Sequence, residues 1–315
     1  MVDGYKHILE YLYDKYYISC SERSDVTSSY WRTIGVQKVW KKKNCYKVEG
    51  YAFGGYRTKN MINYLKYIPM RILLSYFIRE YRLPKYLLQA QKTILERFGF
   101  LPSIDSYKQI LSYNTILKTL DNIDKSIGKK ISSICIIGDG YGFFSSLIKL
   151  TSPNIKVISV NLGRTLFFDV FYSEKCLPDI HPLLLKINSE NIQLSTSKLV
   201  FIEAENYSLL ENLEVDLFIN IASMQEMNPD VIDKYFKYMR SSKKSARYFY
   251  CCNRLEKVLP DGTITKFINY PWRDCDDVLI DELCPWYQKY ISTRPPFFRL
   301  YDSPIQHRFV KLSDL

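Results

Sequence analysis

The stretch Ser132–Leu150, SSICIIGDGYGFFSSLIKL, holds three of the chain's twelve glycines, Gly138, Gly140 and Gly142, directly behind an apolar run. The run reads as a strand and FFSSLIKLT after it as a helix. A strand, a glycine turn and a helix in that order let a ligand approach the backbone, with a helix N-terminus aimed at it. The same rhythm continues downstream. IKVISVNL, KLVFIEAE, VDLFINIAS and ARYFYCCN read as strands, and TLFFDVFYSEKCL and PDVIDKYFKYMRSS as helices. Alternating β and α segments predict an α/β domain, Rossmann-like and doubly wound, with a mostly parallel sheet. The closing FRLYDSPIQHRFVKL suits one or two final strands at an antiparallel edge. In such sheets ligands bind beyond the carboxyl ends of the strands, which is where the glycine turn falls.

Working back from the turn, residues 1–128 read as a mainly helical, basic domain and residues 129–315 as the Rossmann-like domain. Apolar residues recur at helical spacing in Ile8–Tyr17, Met61–Tyr81, Leu87–Phe98 and Tyr107–Ile123. Met61–Tyr81 is expected to be a buried amphipathic helix rather than one lying on a membrane surface. Between the first two helices runs an aromatic, basic and irregular segment, SSYWRTIGVQKVWKKKNCYKVEGYAFGGYR. The net charge of +11 is uneven: residues 1–130 carry 23 Lys and Arg against 11 acids, and the rest 21 against 22. A basic module of this kind suits an anionic partner, such as a phosphate-linked substrate or a membrane surface. RNA- and DNA-binding motifs are missing, so no nucleic acid is expected. No secretory signal or membrane-spanning stretch is evident, and peripheral membrane contact stays open. The eight cysteines form no C-x-x-C, which predicts reduced thiols in a cytoplasm. The acids of WRDCDDVLIDE match no metal pattern and are expected in a solvated loop.

Three ligands compete for the turn. A P-loop needs Lys-Ser/Thr after its glycines, and none follows here. A dinucleotide turn needs a third glycine for close helix–strand packing, and Phe143 stands in that place. The third spacing, GDGYG, is similar to the first motif of Rossmann-like methyltransferases that use S-adenosylmethionine and release S-adenosylhomocysteine. That likeness implies cofactor contacts at Gly138, Asp139, Gly140 and Gly142, with Asp139 at the methionine end. It implies ribose contacts at Asn161 and Leu162, nineteen residues beyond the last glycine for Asn161. It implies an adenine contact at Glu205, with Asn206 beside it, after the third strand, and cofactor contacts at Ser223 and Met224 after the fourth, at the edge where methyl donor and acceptor meet.

With SSYWR, SMQEM, YFYCCNR and the late QHRF added, the chain resembles the bacterial sugar O-methyltransferases found among surface-polysaccharide genes. Where that family more often has Asp followed by Leu-Pro at the end of the second strand, this chain has Asn161-Leu162-Gly163. The resemblance implies methyl transfer to a sugar hydroxyl of a glycan or its activated precursor, nucleotide- or lipid-phosphate-linked, in the cytoplasm or at the inner face of the membrane. A sugar hydroxyl needs a base to make it a competent nucleophile. The candidates are Glu226, where the fourth strand opens onto the site, and His307 in QHRF; His7 and His181 read as surface and loop. Gln225, Asn253 and Arg254 are expected to orient the acceptor, with Trp31, Arg32, Tyr56 and Arg57 covering it from the N-terminal domain. An RNA or non-sugar acceptor, and a non-catalytic binding module, stay open as alternatives, as does the oligomeric state.

Overall fold

The computed structural model describes the chain except residues 1, 22, 24, 34–37, 44, 50–56, 128–129, 188–196, 244–246, 293–294 and 315. Nine strands make one sheet: β1 (Val2–Asp3), β2 (Ser133–Ile137), β3 (Lys156–Asn161), β4 (Leu183–Leu185), β5 (Leu199–Glu203), β6 (Leu217–Ile221), β7 (Arg247–Arg254), β8 (Asp277–Leu283) and β9 (Ile305–Leu312). Their spatial order is β1-β4-β5-β3-β2-β6-β7-β9-β8. From β4 to β7 all neighbours are parallel, and β9 runs antiparallel between β7 and β8. β2, β5 and most of β3, β6 and β7 are buried, as near-continuous apolar runs covered on both faces should be. The chain leaves β2 towards β3, β4 and β5, then crosses back to β6 and β7. The switch point, and hence the crevice, lies between the carboxyl ends of β2 and β6.

The helices are α1 (Tyr5–Tyr13, continued by a π turn Asp14–Ile18), α2 (Ser29–Thr33), α3 (Met61–Arg79), α4 (Lys85–Phe98), α5 (Ile104–Ile127), α6 (Phe143–Thr151), α7 (Gly163–Cys176) and α8 (Pro229–Ser241). On one face of the sheet, aromatic contacts run from the early helices onto α6 and α7: Tyr17 to Phe167 at 5.4 Å, Phe98 to Tyr172 at 5.0 Å and Tyr113 to Phe144 at 5.6 Å. Residues from both sides of position 128 thus share one apolar core. The other face is closed by Val231, Tyr235 and Phe236 of α8 with Phe267 and Tyr270.

Two sequence expectations change. The acids of residues 272–282 do not form a solvated loop. Most of that segment is the edge strand β8, whose largely exposed residues lack the apolar alternation that announces a strand. Asp276, just before it, is buried against Arg240, with two N–O distances of 2.7 Å. Burial alone would raise its carboxyl. The guanidinium and the N–H groups of Ser313 and Arg273 instead hold it at about 2. The second change is α3, which buries only one of its two apolar faces.

Candidate active site

A cavity of about 420 Å³ lies at the switch point, within the usual range for a small-molecule site. Its floor is the glycine turn. Gly138, Gly140, Tyr141 and Gly142 all have positive φ, a run that glycine makes possible at three of the four positions. A Cβ on Gly138 would fall 2.3 Å from Ser223 Oγ, and one on Gly142 2.8 Å from the Asp169 carbonyl. A Cβ on Gly140 would meet no described atom within 4 Å, and Gly140 lines the cavity. Gly140 therefore leaves a cradle where a bound molecule can touch backbone.

The polar groups of the turn are already engaged. Asp139 accepts the backbone N–H groups of Phe144 and Ser145, both at 2.8 Å, and the Ser145 hydroxyl, so it caps α6 from within the turn. Asp169, projecting from α7, accepts the Gly142 N–H at 3.1 Å and Asn161 Nδ2 at 2.9 Å. Burial raises the Asp139 carboxyl to about 6. Burial, then the nearby Asp139 charge, pushes Asp169 well above the usual range. An α-helix N-terminus normally attracts anions. Here the carboxyl groups of Asp139 and Asp169 take the N–H groups of Gly142, Phe144 and Ser145, so a phosphate at that position would find those donors occupied.

Asn161 ends β3 at the cavity wall. Its amide donates to Asp169, and its Oδ1 accepts the Leu162 N–H at 2.9 Å. The departure beside it has a steric reason: a Cβ on Gly163 would lie 1.9 Å from Tyr16 Cζ. The Tyr16 ring packs where a larger residue would stand, and its hydroxyl donates to Glu203 Oε1 at 2.5 Å.

Across the crevice, β6 and β7 end in a closed amide network. Asn220 Nδ2 donates to the Ile137 carbonyl at 2.8 Å, and Asn253 Nδ2 to Asn220 Oδ1 at 2.8 Å. Asn253 Oδ1 accepts the Gln225 N–H at 3.1 Å, and Gln225 Oε1 accepts the Arg254 N–H at 2.8 Å. This network holds the 3-10 turn Met224–Glu226 against the cavity. Glu226 is half-buried there, with the Tyr30 hydroxyl bonded to its carboxyl and Lys257 and Arg254 nearby. Burial outweighs these partners and raises it to about 7. The SSYW segment closes over it: Ser28 Oγ donates to the Glu226 carbonyl, Ser29 Oγ accepts the Asp261 N–H at 3.3 Å, and Lys257 sits 5.1 Å from the Tyr30 ring. Asp105 and Gln109 of α5, with Tyr287 and Tyr301, complete this end. Among the described residues, Gln109 Oε1 and Arg254 Nε are buried without a hydrogen-bond partner.

The cavity therefore collects Gly138, Asp139, Gly140, Asn161, Leu162, Ser223, Gln225, Glu226, Arg254 and Trp31 from the expected set. Others fall elsewhere. His307 does not line it. It is buried in β9, with Nδ1 3.1 Å from the Tyr250 hydroxyl, Nε2 3.4 Å from Glu282, and its ring edge-on to Trp286. Glu205 turns away to Lys15, Asn206 lies in the following 3-10 turn outside the wall, and Met224 is buried in the core on the α8 side. Gly142 supports the turn from behind, and Asn253 is buried in the amide network. Arg32 is exposed away from the cavity, Arg57 belongs to a two-residue strand paired with Phe100–Leu101, and Tyr56 lies outside the described residues. Sequence reasoning missed Asp169, Asp105, Gln109, Tyr30 and Tyr287. Asp169 left a trace, as the single acid within the apolar TLFFDVFY.

No protein-family model matches the chain, and no curated protein matches it significantly. Solved structures do. A Galdieria sulphuraria protein assigned as a sarcosine dimethylglycine methyltransferase is 9% identical, with 72% of this chain and 99% of that one covered and a TM-score of 0.45. Magnesium protoporphyrin IX methyltransferase from Synechocystis PCC 6803, solved with bound S-adenosylmethionine, is 8% identical over 65% of this chain and 80% of that one, with a TM-score of 0.39. An O-methyltransferase family protein from Burkholderia thailandensis is 7% identical over 67% and 60%, with a TM-score of 0.37. What the cavity does has to come from its own geometry.

Proposed function

We propose that the chain is an S-adenosylmethionine-dependent O-methyltransferase whose acceptor is a sugar hydroxyl of a glycan or its phosphate-linked precursor. The observation that carries the cofactor is the pair of carboxylates under the glycine turn. They occupy the N–H groups a dinucleotide pyrophosphate needs, while the Gly140 cradle stays open to a ligand without phosphate. The turn, Leu162, Ala204 and Ser223 would hold the nucleoside and methionine parts. Bound there, the cofactor supplies an electrophilic methyl group.

The chain's own groups handle the acceptor. Glu226, ionised above about pH 7, takes the hydroxyl proton as the oxygen becomes a nucleophile. Tyr30 and Lys257 hold the carboxylate in place. Tyr30, Trp31, Tyr287 and Tyr301 give flat walls for sugar faces, and Gln109 Oε1 and Arg254 Nε are unspent polar atoms for its hydroxyls or carrier phosphate. Positioning of this kind contributes up to roughly 7–11 kcal/mol in favourable cases. Isothermal calorimetry tests the core of the reading. S-adenosylhomocysteine should bind without added metal and NAD should not; no binding of the former, or binding of NAD, would sink the proposal.

A further inference from the structure

Helix α3 carries two apolar faces, and only one is covered. Tyr67, Leu74 and Phe77 are buried, and Tyr67 lies beside Tyr107 of α5. On the opposite side Met61, Leu65, Ile68, Ile72 and Tyr76 follow one another at helical spacing, exposed by 79%, 60%, 49%, 57% and 67%, with Ile62 beside them at 62%. A helix apolar all round is normally buried, and a contiguous exposed apolar stripe marks an interaction surface. The sequence around it is strongly basic: Arg57 to Tyr86 holds seven Lys and Arg and a single acid, Glu80.

We propose that this face of α3 docks on an anionic lipid surface, with the helix lying in the plane of the interface. Charge chooses the occupant. A second copy seated symmetrically would set basic surface against basic surface, which is unfavourable. An anionic bilayer accepts both features: the apolar stripe enters the boundary between headgroups and acyl chains, and the flanking cations meet the headgroups. Among the described residues no helix is long and apolar enough to cross a membrane, so α3 would lie on the surface rather than span it. This docking is independent of the cavity and stands whether or not that cavity transfers methyl groups.

Flotation of the full chain with vesicles of phosphatidylglycerol and phosphatidylcholine, against phosphatidylcholine alone, tests it. The chain should float with the anionic vesicles only, less so as salt rises. Leu65→Glu/Ile68→Glu/Ile72→Glu should lose on the order of tenfold or more of that partitioning while keeping its melting temperature and its S-adenosylhomocysteine affinity. Should that variant fail to fold, the milder Leu65→Ser/Ile72→Ser carries the same test. Three outcomes overturn the proposal: no flotation, flotation untouched by a folded variant, or a lipid-free dimer that the variant converts to monomer.

Discussion

The two ends of the cavity are built on opposite terms. At the glycine-turn end the carboxyl and amide side chains are engaged with the protein itself: Asp139 caps α6, and Asn161 holds Asp169. A ligand there meets mainly backbone, and its fit is decided by φ values and by the absence of a Cβ at Gly140. At the other end, where the strap Ser28–Trp31 closes over Glu226, polar atoms are left unspent. Gln109 Oε1 and Arg254 Nε lack partners among the described residues, and burial lifts Glu226 to about 7. Buried polar groups are costly unless satisfied, so unspent polar atoms beside the cavity are a mark of function. The difference teaches where changes should act: on affinity at the turn, on turnover at the strap.

The largest expected effect tests the strap end. Glu226→Gln keeps the size of the side chain and removes the proton acceptor. If the carboxylate is the base, kcat should fall by roughly 10²–10⁴-fold, with S-adenosylhomocysteine affinity unchanged. The wild-type rate should climb as pH rises through about 7, because the carboxyl accepts a proton only once ionised, and the variant should lose that climb. A variant retaining both rate and pH profile breaks the contrast and moves the base elsewhere.

At the turn, two neighbouring glycines should answer differently. A methyl on Gly138 collides with Ser223, so Gly138→Ala should cost about 1–3 kcal/mol of stability through overpacking, with positive φ adding to it. Gly140→Ala meets no described protein atom and places its methyl in the cavity. Its left-handed backbone adds about 1–2 kcal/mol of strain. S-adenosylhomocysteine affinity should drop roughly tenfold, worth about 1.4 kcal/mol. Calorimetry together with melting curves separates the two. Equal losses of affinity and stability at both positions would mean that Gly140 does not face the ligand.

How far the sequence speaks follows the same division. The strands and the glycine turn were legible because the runs from Ser133 to Arg254 are apolar and β-rich and the glycines sit where the backbone must turn left-handed. The edge strand β8 and the basic hairpin Lys38–Lys42 with Cys45–Glu49 were not, since exposed strands lose their apolar alternation. Glu226 and Trp31 could be placed at the cavity from motif position. Asp105, Gln109 and Tyr287 could not, because only tertiary packing brings α5 and the segment after β8 to β6. His307 illustrates the opposite limit: a late histidine in a suggestive motif proves to be a buried strand residue held by Tyr250 and Glu282.

The smallest expected effect concerns Asn161, where the methyltransferases that the GDGYG motif resembles usually carry an acid. Its amide is committed to Asp169 at 2.9 Å, so Asn161→Asp would set a carboxylate against one whose pKa burial and Asp139 already raise. Losing the donor should cost about 1–3 kcal/mol at neutral pH, a fall of a few degrees in melting temperature. The sign follows from linkage. In the fold the new carboxyl's pKa lies above its unfolded value of about 3.9, so the cost is full above the folded pKa and fades as pH falls towards about 3.9. Melting curves of both proteins across that range should converge on acidification, and S-adenosylhomocysteine should bind the variant no more tightly than the parent. A variant that binds more tightly with its stability intact would show Asn161 free to serve a ligand, and the turn end would then resemble the strap end after all.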